Sequence, residues 1–389
     1  MPDSLRRLTH LLPLLSAGLV AVLVSYASSA AIVFQALKAA GATPHQLGEW
    51  LSTLGIAMGL TTLALTLRYK MPILTAWSTP GAALLVTSLH GATLAQAVGI
   101  FMFASALTLL CALTGLFTRL MNTIPLALAN AMLAGILLRF GLSTFQGLAV
   151  DPLLCGSMCA AYLLARRLLS RFAIVLTLIA GLLVAAGQGT LPSSLPTAVL
   201  AIPHWVTPDF SLPLLIGVGL PWFLVTMASQ NAPGIATLQA FNYPAPPSPL
   251  LGWTALTSLL LAPLGGFSIC IAAISAALCM GPDVHPDPHR RWLAAIAAGG
   301  FYLLAGTLGG WLAVVMVQLS PTLINTLAGL ALLSTLGGSL LRALQPDAQR
   351  EAALIAFLIT ASGVTLWGIS AACWGLLAGV CCLRWLRPR

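Results

Sequence analysis

The chain has 389 residues, 59% of them hydrophobic and 6% charged, with a formal net charge of +9. That composition excludes a soluble globular domain and marks an integral membrane protein. The positive charge does not signal nucleic acid, because Lys and Arg stand at the ends of apolar runs and not on one face, which is the placement that orients membrane spans.

In chain order, span 1 is predicted at about 12–38, broken in character around Ser25 to Ser29, and span 2 at about 46–67. Segment 3 reads differently. Ile73 to Thr79 looks extended, Pro80-Gly81 opens a helix with Thr79 as N-cap and Ser78 beside it, and about ten apolar residues follow before His90. A strand-like stretch plus a half-helix is tolerable at membrane depth only when packed inside protein. Spans 4 to 7 fall at about 92–116, 122–140, 146–165 and 171–189. A Pro-rich loop, 190–211, separates the two halves. Spans 8 and 9 fall at about 212–232 and 249–262. Segment 10 begins at Pro263 and continues as a short helix to about Met280. The polar loop 281–291, carrying Asp283, His285, Asp287 and His289, reads as solvated. Spans 11 to 14 fill about 292–318, 321–341, 350–364 and 366–386. With 14 crossings and both termini cytoplasmic, 15 of the 17 Lys and Arg lie inside, and only Lys38 and Arg139 outside.

Three matches point to a duplicated chain, and seven crossings per half make the copies inverted. Val24 to Ala31 aligns without a gap on Val225 to Ala232. Ala76-Trp77-Ser78 aligns on Gly266-Phe267-Ser268, so that an aromatic-Ser pair precedes each half-helix. Pro125, Asn130 and Ala134-Gly135 match Pro321, Asn325 and Ala328-Gly329 with a gap. Half-helices 3 and 10 are therefore expected to point their unpaired backbone N–H groups at one central space, an anion site with no Lys or Arg. Trp77 and Phe267 would flank it. Ser25, Tyr26 and Ser28 from span 1, and Ser229, Gln230 and Asn231 from span 8, would supply hydrogen bonds. Ser78, Thr79, Ser268 and Ile269 complete the predicted site. Such a site suits a small aromatic carboxylate.

The stretches Leu74 to Leu85 and Val225 to Gly234 resemble those of the bacterial BenE family of benzoate/proton symporters, and the resemblance covers nearly the whole chain. It implies an inner-membrane protein with the all-α fold of the uracil and nucleobase transporters: 14 segments as 7+7 inverted repeats, with short strands in segments 3 and 10. It further implies a core domain (1–116, 212–291 and 292–318) moving elevator-like against a gate domain (117–189 and 319–389), often in a dimer. Substrate, proton and membrane lipid are the implied partners, with no nucleic acid. One departure stands out. The nucleobase carriers place acids in spans 8 and 10, where this chain has Ser229, Gln230, Asn231 and Ser268. A neutral site suits an anion, but it leaves the proton without an obvious carrier.

Elsewhere the plain readings suffice. Glu49 is the acid nearest a membrane segment; it reads as a solvated or helix N-terminal charge first and as the proton-coupling candidate second. Asp209 reads likewise, His90 as a helix C-terminal residue, and Asp151 as the cap of span 6. Cys155 and Cys159 lie one helical turn apart with no His or acid nearby, so no metal or cofactor is predicted. No nucleophile–base constellation lies at midplane depth, which argues against an enzyme. A carrier for a nucleobase or other planar anion, and an anion channel on the same fold, are the alternatives.

Overall fold

The computed structural model describes residues 3–89, 91–116, 126–191, 201–367 and 369–385. His90, Pro125, the expected domain boundary after 116 and part of the 190–211 loop lie outside the described residues.

Two long helices open the chain, α1 (Asp3–Ala39) and α2 (Pro44–Tyr69). A capping box starts α2: Thr43 accepts from Gln46 N while the Gln46 side chain accepts from Thr43 N at 2.9 Å, with Pro44 in the first turn. Lys70 ends it in the left-handed conformation, its ammonium 4.2 Å from the centre of the Trp292 ring. Then come β1 (Thr75–Trp77), α3 (Thr79–Ser88), α4 (Leu94–Leu113), α5 (Leu126–Val150), α6 (Pro152–Leu168) and α7 (Ala173–Gly187). Asp151 does cap α6, accepting the Leu154 N–H at 3.0 Å. The second part runs α8 (Leu212–Ala240), α9 (Pro247–Leu261), β2 (Ile269–Ile271), α10 (Ile274–Ala277), α11 (Trp292–Thr307), α12 (Gly309–Gln318), α13 (Pro321–Leu344), α14 (Arg350–Ser362) and α15 (Ala371–Trp385). Six of the described helices are long and apolar enough to cross a membrane, or seven if the pair bent by 60° between α11 and α12 is one span. The protein is mostly helical and membrane-embedded.

Among the described residues the only sheet is β1–β2. It is antiparallel, with Thr75 opposite Ile271, Ala76 opposite Cys270 and Trp77 opposite Ile269, all buried. Two strands in an apolar interior leave two edges whose amides must find partners. Helix side chains supply them. From α2, Thr62 accepts the Thr75 N–H at 3.0 Å and Thr66 donates to Ile73 O at 2.9 Å. On the far edge, Ser258 of α9 accepts the Ile269 N–H at 2.8 Å and Asn231 of α8 accepts the Ile271 N–H at 3.1 Å. Thr and Ser at these places in apolar helices are there to close the sheet.

Three expectations are corrected. First, α1 runs unbroken through Ser25 to Ser29, where Ser28 and Ser29 turn their hydroxyls onto Ser25 O (3.2 and 2.6 Å) and so satisfy them within the helix. The polar stretch of α8 is likewise not a break but a wide turn, Met227–Asn231, within a continuous helix. Second, the cap of α3 is Ser78, not Thr79: Ser78 leaves the strand still extended (φ −82°, ψ 101°), and its hydroxyl accepts the Gly81 N–H at 3.0 Å. Third, α10 has four residues and no side-chain cap, so of the two expected half-helices only α3 presents a formed N-terminus.

Around the sheet, α2 packs on α11 and α12, α1 on α3 and α11, and α4 on α9; α5 packs along α13, with α14 and α15 against them. The α2–α11 contact is close enough that a Cβ on Gly55 would stand 2.5 Å from Gly306 Cα, and Ser52 donates to Gly306 O at 2.7 Å. The 281–291 loop is exposed over most of its length, and Arg291 anchors its end. Arg291 is buried in it, donating to Met280 O, His285 O and Pro286 O, and so ties the loop to itself.

Candidate functional site

The N-terminus of α3 is the place where polar groups converge. Ser78 accepts from Gly81 N, receives the Thr226 hydroxyl at 3.3 Å, and donates its own backbone N–H to Ser268 Oγ at 3.0 Å. Position 81 has to be glycine: a Cβ there would stand 2.6 Å from Trp222 Nε1 and 2.8 Å from Thr226 Oγ1. Trp222 and Thr226 sit one turn apart on α8 and so reach the same helix end. The Trp222 indole N–H is buried and has no hydrogen-bond partner. A buried donor left unpaired costs free energy, and a ligand acceptor would recover it.

Ser268 is held at φ 62°, a conformation rare for a residue other than glycine, in the turn that leads from Phe267 into β2. That turn aims its hydroxyl at the Ser78 N–H.

Beside this convergence lies a cavity of about 20 Å³ whose lining includes Ser105, Thr108, Trp222, Phe223, Thr226 and Ser268. It has room for a water molecule, not a ring. None of its lining residues is charged. The positive end of the α3 dipole and neutral donors therefore set its polarity, which favours an anion. Behind it stands an aromatic block. Phe101 and Phe267 stack with centroids 4.3 Å apart and planes at 13°, Trp222 lies 5.2 Å from Phe101, and Trp50 lies 6.1 Å from Phe267.

The sequence-derived site residues fall into two groups. Ser78, Asn231, Ser268 and Ile269 meet at the cavity or its rim, with Thr79 in the first turn of α3 and Phe267 in the aromatic block. Tyr26, Trp77, Ser25 and Ser28 meet elsewhere, against α1. There Trp77 is fully buried, donates its indole N–H to Ser29 Oγ at 2.6 Å, and takes the edge of Tyr26 at 4.9 Å. Asn231 spends its carbonyl on the Ile271 N–H, and Ser229 spends its hydroxyl on Val225 O. Gln230 is half-buried on the wide turn. Glu49 is neither solvated nor in the first helical turn. It is 1% exposed in α2, with His45 Nδ1 and His204 Nδ1 at 2.7 and 2.6 Å from Oε1.

Sequence reasoning missed Trp222, Thr226, Phe101, Ser29 and Ser258. A signal existed for the first two: a Trp and a Thr four residues apart on the helix that also carries Ser229 to Asn231, facing a Pro-Gly helix start.

Residues 9–385 match the family model described as benzoate membrane transport protein, BenE. The chain is 53% identical over 370 residues to the inner membrane protein YdcO of Escherichia coli (strain K12), covering 95% of each chain. It is 36% identical over 364 residues to the benzoate membrane transport protein of Acinetobacter baylyi, covering 94% of this chain and 92% of that one. Among solved structures, the transmembrane domain of a cyanobacterium bicarbonate transporter, BicA, superposes with a TM-score of 0.59 at 12% identity, over 95% of this chain and 97% of that one. At that identity the likeness concerns the fold.

Proposed function

Because this chain belongs to the benzoate membrane transport (BenE) family, we propose that it is a carrier of benzoate or a close aromatic carboxylate, and that it binds the carboxylate at the N-terminus of α3. The observation that carries the site is the unpartnered, buried indole N–H of Trp222, standing with the Thr226 hydroxyl at a capped helix end in a cavity without charged side chains. The carboxylate takes the Trp222 N–H and, as the Thr226 hydroxyl turns from Ser78 to the ligand, that O–H as well; Ser78 and Ser268 frame it, and Phe223 with the Phe101–Phe267 stack offers the ring its apolar faces. Asn231 and Ile269 act at the rim. Tyr26, Trp77, Ser25 and Ser28 shape the α1 side and come into contact with substrate only in another conformation. Thr79, Ser229, Gln230 and Phe267 belong to the same shell.

In this reading the chain forms 14 segments as two inverted repeats of seven, with both termini cytoplasmic. A core (1–116 and 212–318) slides as a body against a gate (117–189 and 319–389), the 190–211 loop joins the halves, and two copies pair as a homodimer. A cavity the size of one water must open before a ring can enter, which is the motion such sliding supplies. Transport is coupled to a proton. The carrier for it is Glu49, the one buried carboxylate among the described residues, with His45 and His204 as partners. The small, uncharged cavity also favours a second reading, a smaller planar anion carried at the same helix end.

The test is uptake of labelled benzoate into liposomes containing the pure protein, under an imposed inward proton gradient, with protein-free liposomes correcting for leak of benzoic acid. Saturable, protein-dependent uptake that unlabelled benzoate blocks and uracil does not is the expected result, and collapse of the gradient abolishes it. Uptake blocked equally by small planar anions favours the second reading, flux that never saturates favours a channel, and no protein-dependent uptake overturns the benzoate assignment.

A further inference from the structure

A second cluster of polar groups lies outside the substrate cavity, at the N-terminal end of α2. His45 and Glu49 stand one turn apart on that helix, so both side chains lie on one face. His204 arrives from the loop that precedes α8. One ligand atom from each of the three groups lies within 4.8 Å of the others. Both imidazoles turn Nδ1 to the same carboxylate oxygen, and the His204 backbone N–H donates to the other at 3.3 Å.

The burial is lopsided. Glu49 is 1% exposed, while the His45 and His204 side chains are 67% and 72% exposed. A buried carboxylate needs compensation, and here it comes from two imidazoles open to solvent and free to adjust. From this geometry we infer that His45, Glu49 and His204 form a site for a divalent transition-metal ion of the zinc class. Two imidazole nitrogens and one carboxylate oxygen are the donor set such ions take, at about 2.0–2.2 Å each, and three protein ligands leave a fourth position for water. Drawing three atoms onto one ion requires the two histidines to move back from their present contact with Glu49 Oε1, which their exposure allows.

The site has a mechanical consequence. The 201–211 loop is otherwise fastened by Val206 N to Pro263 O (2.8 Å) and Asp209 N to Ala95 O (2.9 Å). Together with His204, these bonds tie it to α2, to the start of α4 and to the chain just after α9. A bound ion would replace the direct His204–Glu49 contact with a coordinate bridge and so tighten the clasp between that loop and α2. It would also displace any proton shared by the three groups, so the ion would inhibit transport if Glu49 is the proton carrier.

The experiment uses the full-length, tag-free protein in detergent, stripped with a chelator, because a polyhistidine tag would bind the same ions. Zinc chloride is titrated by calorimetry and thermal unfolding is followed with and without the ion. Binding of one ion per chain and a raised Tm are expected. His45→Ala and His204→Ala each weaken binding by at least about tenfold and remove the Tm rise. Both residues are exposed and each variant leaves Glu49 the other histidine, so these variants are expected to fold even if Glu49→Gln does not. Cobalt(II) serves as a second probe, and wild-type protein alone should give the visible absorption of a four-coordinate ion. Absence of stoichiometric binding overturns the inference, as does binding by both histidine variants equal to wild type, which would place the ion elsewhere on the chain. Neither outcome bears on the substrate cavity, because the readout does not involve transport.

Discussion

The backbone N–H of Ser78 donates to the hydroxyl of Ser268 across 3.0 Å, joining the cap of α3 to the strained turn before β2. The two residues belong to different halves of the sequence, 190 positions apart. Their bond sets the α3 N-terminus against the residues that line the cavity. Anything that moves β2 relative to β1 therefore moves the helix end that would hold the substrate. The sheet, though only three residues a strand, is the frame of the site.

Trp222→Phe tests whether the indole N–H is a substrate donor. Phe keeps an aromatic ring in the block and removes the unpartnered donor that lines the cavity, so stability should hold or rise slightly, since a buried unsatisfied group is gone. Loss of a hydrogen bond to a charged group, about 1.5–3 kcal/mol, should weaken benzoate binding roughly tenfold to a hundredfold. Calorimetric titration together with a melting curve reads both. Unchanged affinity would remove Trp222 from the site.

Asn231→Ala should behave in the opposite way. It strands the Ile271 N–H at the sheet edge, in an interior with no water to replace the lost acceptor. A loss of about 1–3 kcal/mol in stability is expected, seen as a lower Tm and poorer yield of monodisperse protein. A variant as stable as wild type but defective in binding would instead make Asn231 a direct ligand.

Much of this fold can be read from residue order alone, and the reason is physical. Apolar runs bounded by Arg and Lys must become spans, so most predicted spans overlap observed helices with ends shifted by a few residues. Pro80-Gly81 after an extended run and before about ten apolar residues marks a helix start, because Pro fits the first helical turn. The site was legible only in part, because its decisive contacts are made between distant segments. Nothing local tells that Ser258 and Asn231 are consumed by strand amides, or that Trp77 turns toward Ser29 and away from the cavity. Glu49 misled for the same reason, since its partner His204 comes from a loop 155 positions away.

Ser78→Ala and Thr79→Val separate the two possible caps of α3. Ser78→Ala removes the acceptor for Gly81 N–H and the partner of Thr226, and should cost about 1 kcal/mol or more in stability while weakening substrate binding. Thr79→Val should cost less than half as much, because Thr79 lies inside the helix. Melting curves of both in one detergent decide it, and equal losses would return the cap to Thr79.

Gly55→Ala probes the close packing of α2 on α11. The added methyl would stand 2.5 Å from Gly306 Cα and 2.6 Å from Tyr26 Oη, and both neighbours are buried. Backbone cannot yield as a flexible side chain does, so overpacking should destabilise by about 1–3 kcal/mol. If the core moves as one body, uptake per folded molecule should survive. Full stability would show that the two helices can separate at this point, whereas full stability with lost uptake would mean that α2 and α11 shift against each other during transport.

Ser268 carries two features at once, a left-handed backbone and an acceptor for Ser78, and two substitutions separate them. Ser268→Ala keeps the strained φ and strands the Ser78 N–H, so it should lose about 1–3 kcal/mol. Ser268→Gly strands the same N–H but adopts φ 62° without a Cβ penalty, so it should recover part of that loss. Both should weaken substrate binding alike, because in both the α3 cap loses its tether to the turn before β2. Melting curves give the first comparison and benzoate titration the second. If Gly binds as wild type does while Ala does not, the backbone conformation alone positions the site. If both bind as wild type, the Ser78–Ser268 bond holds the fold together without shaping the site.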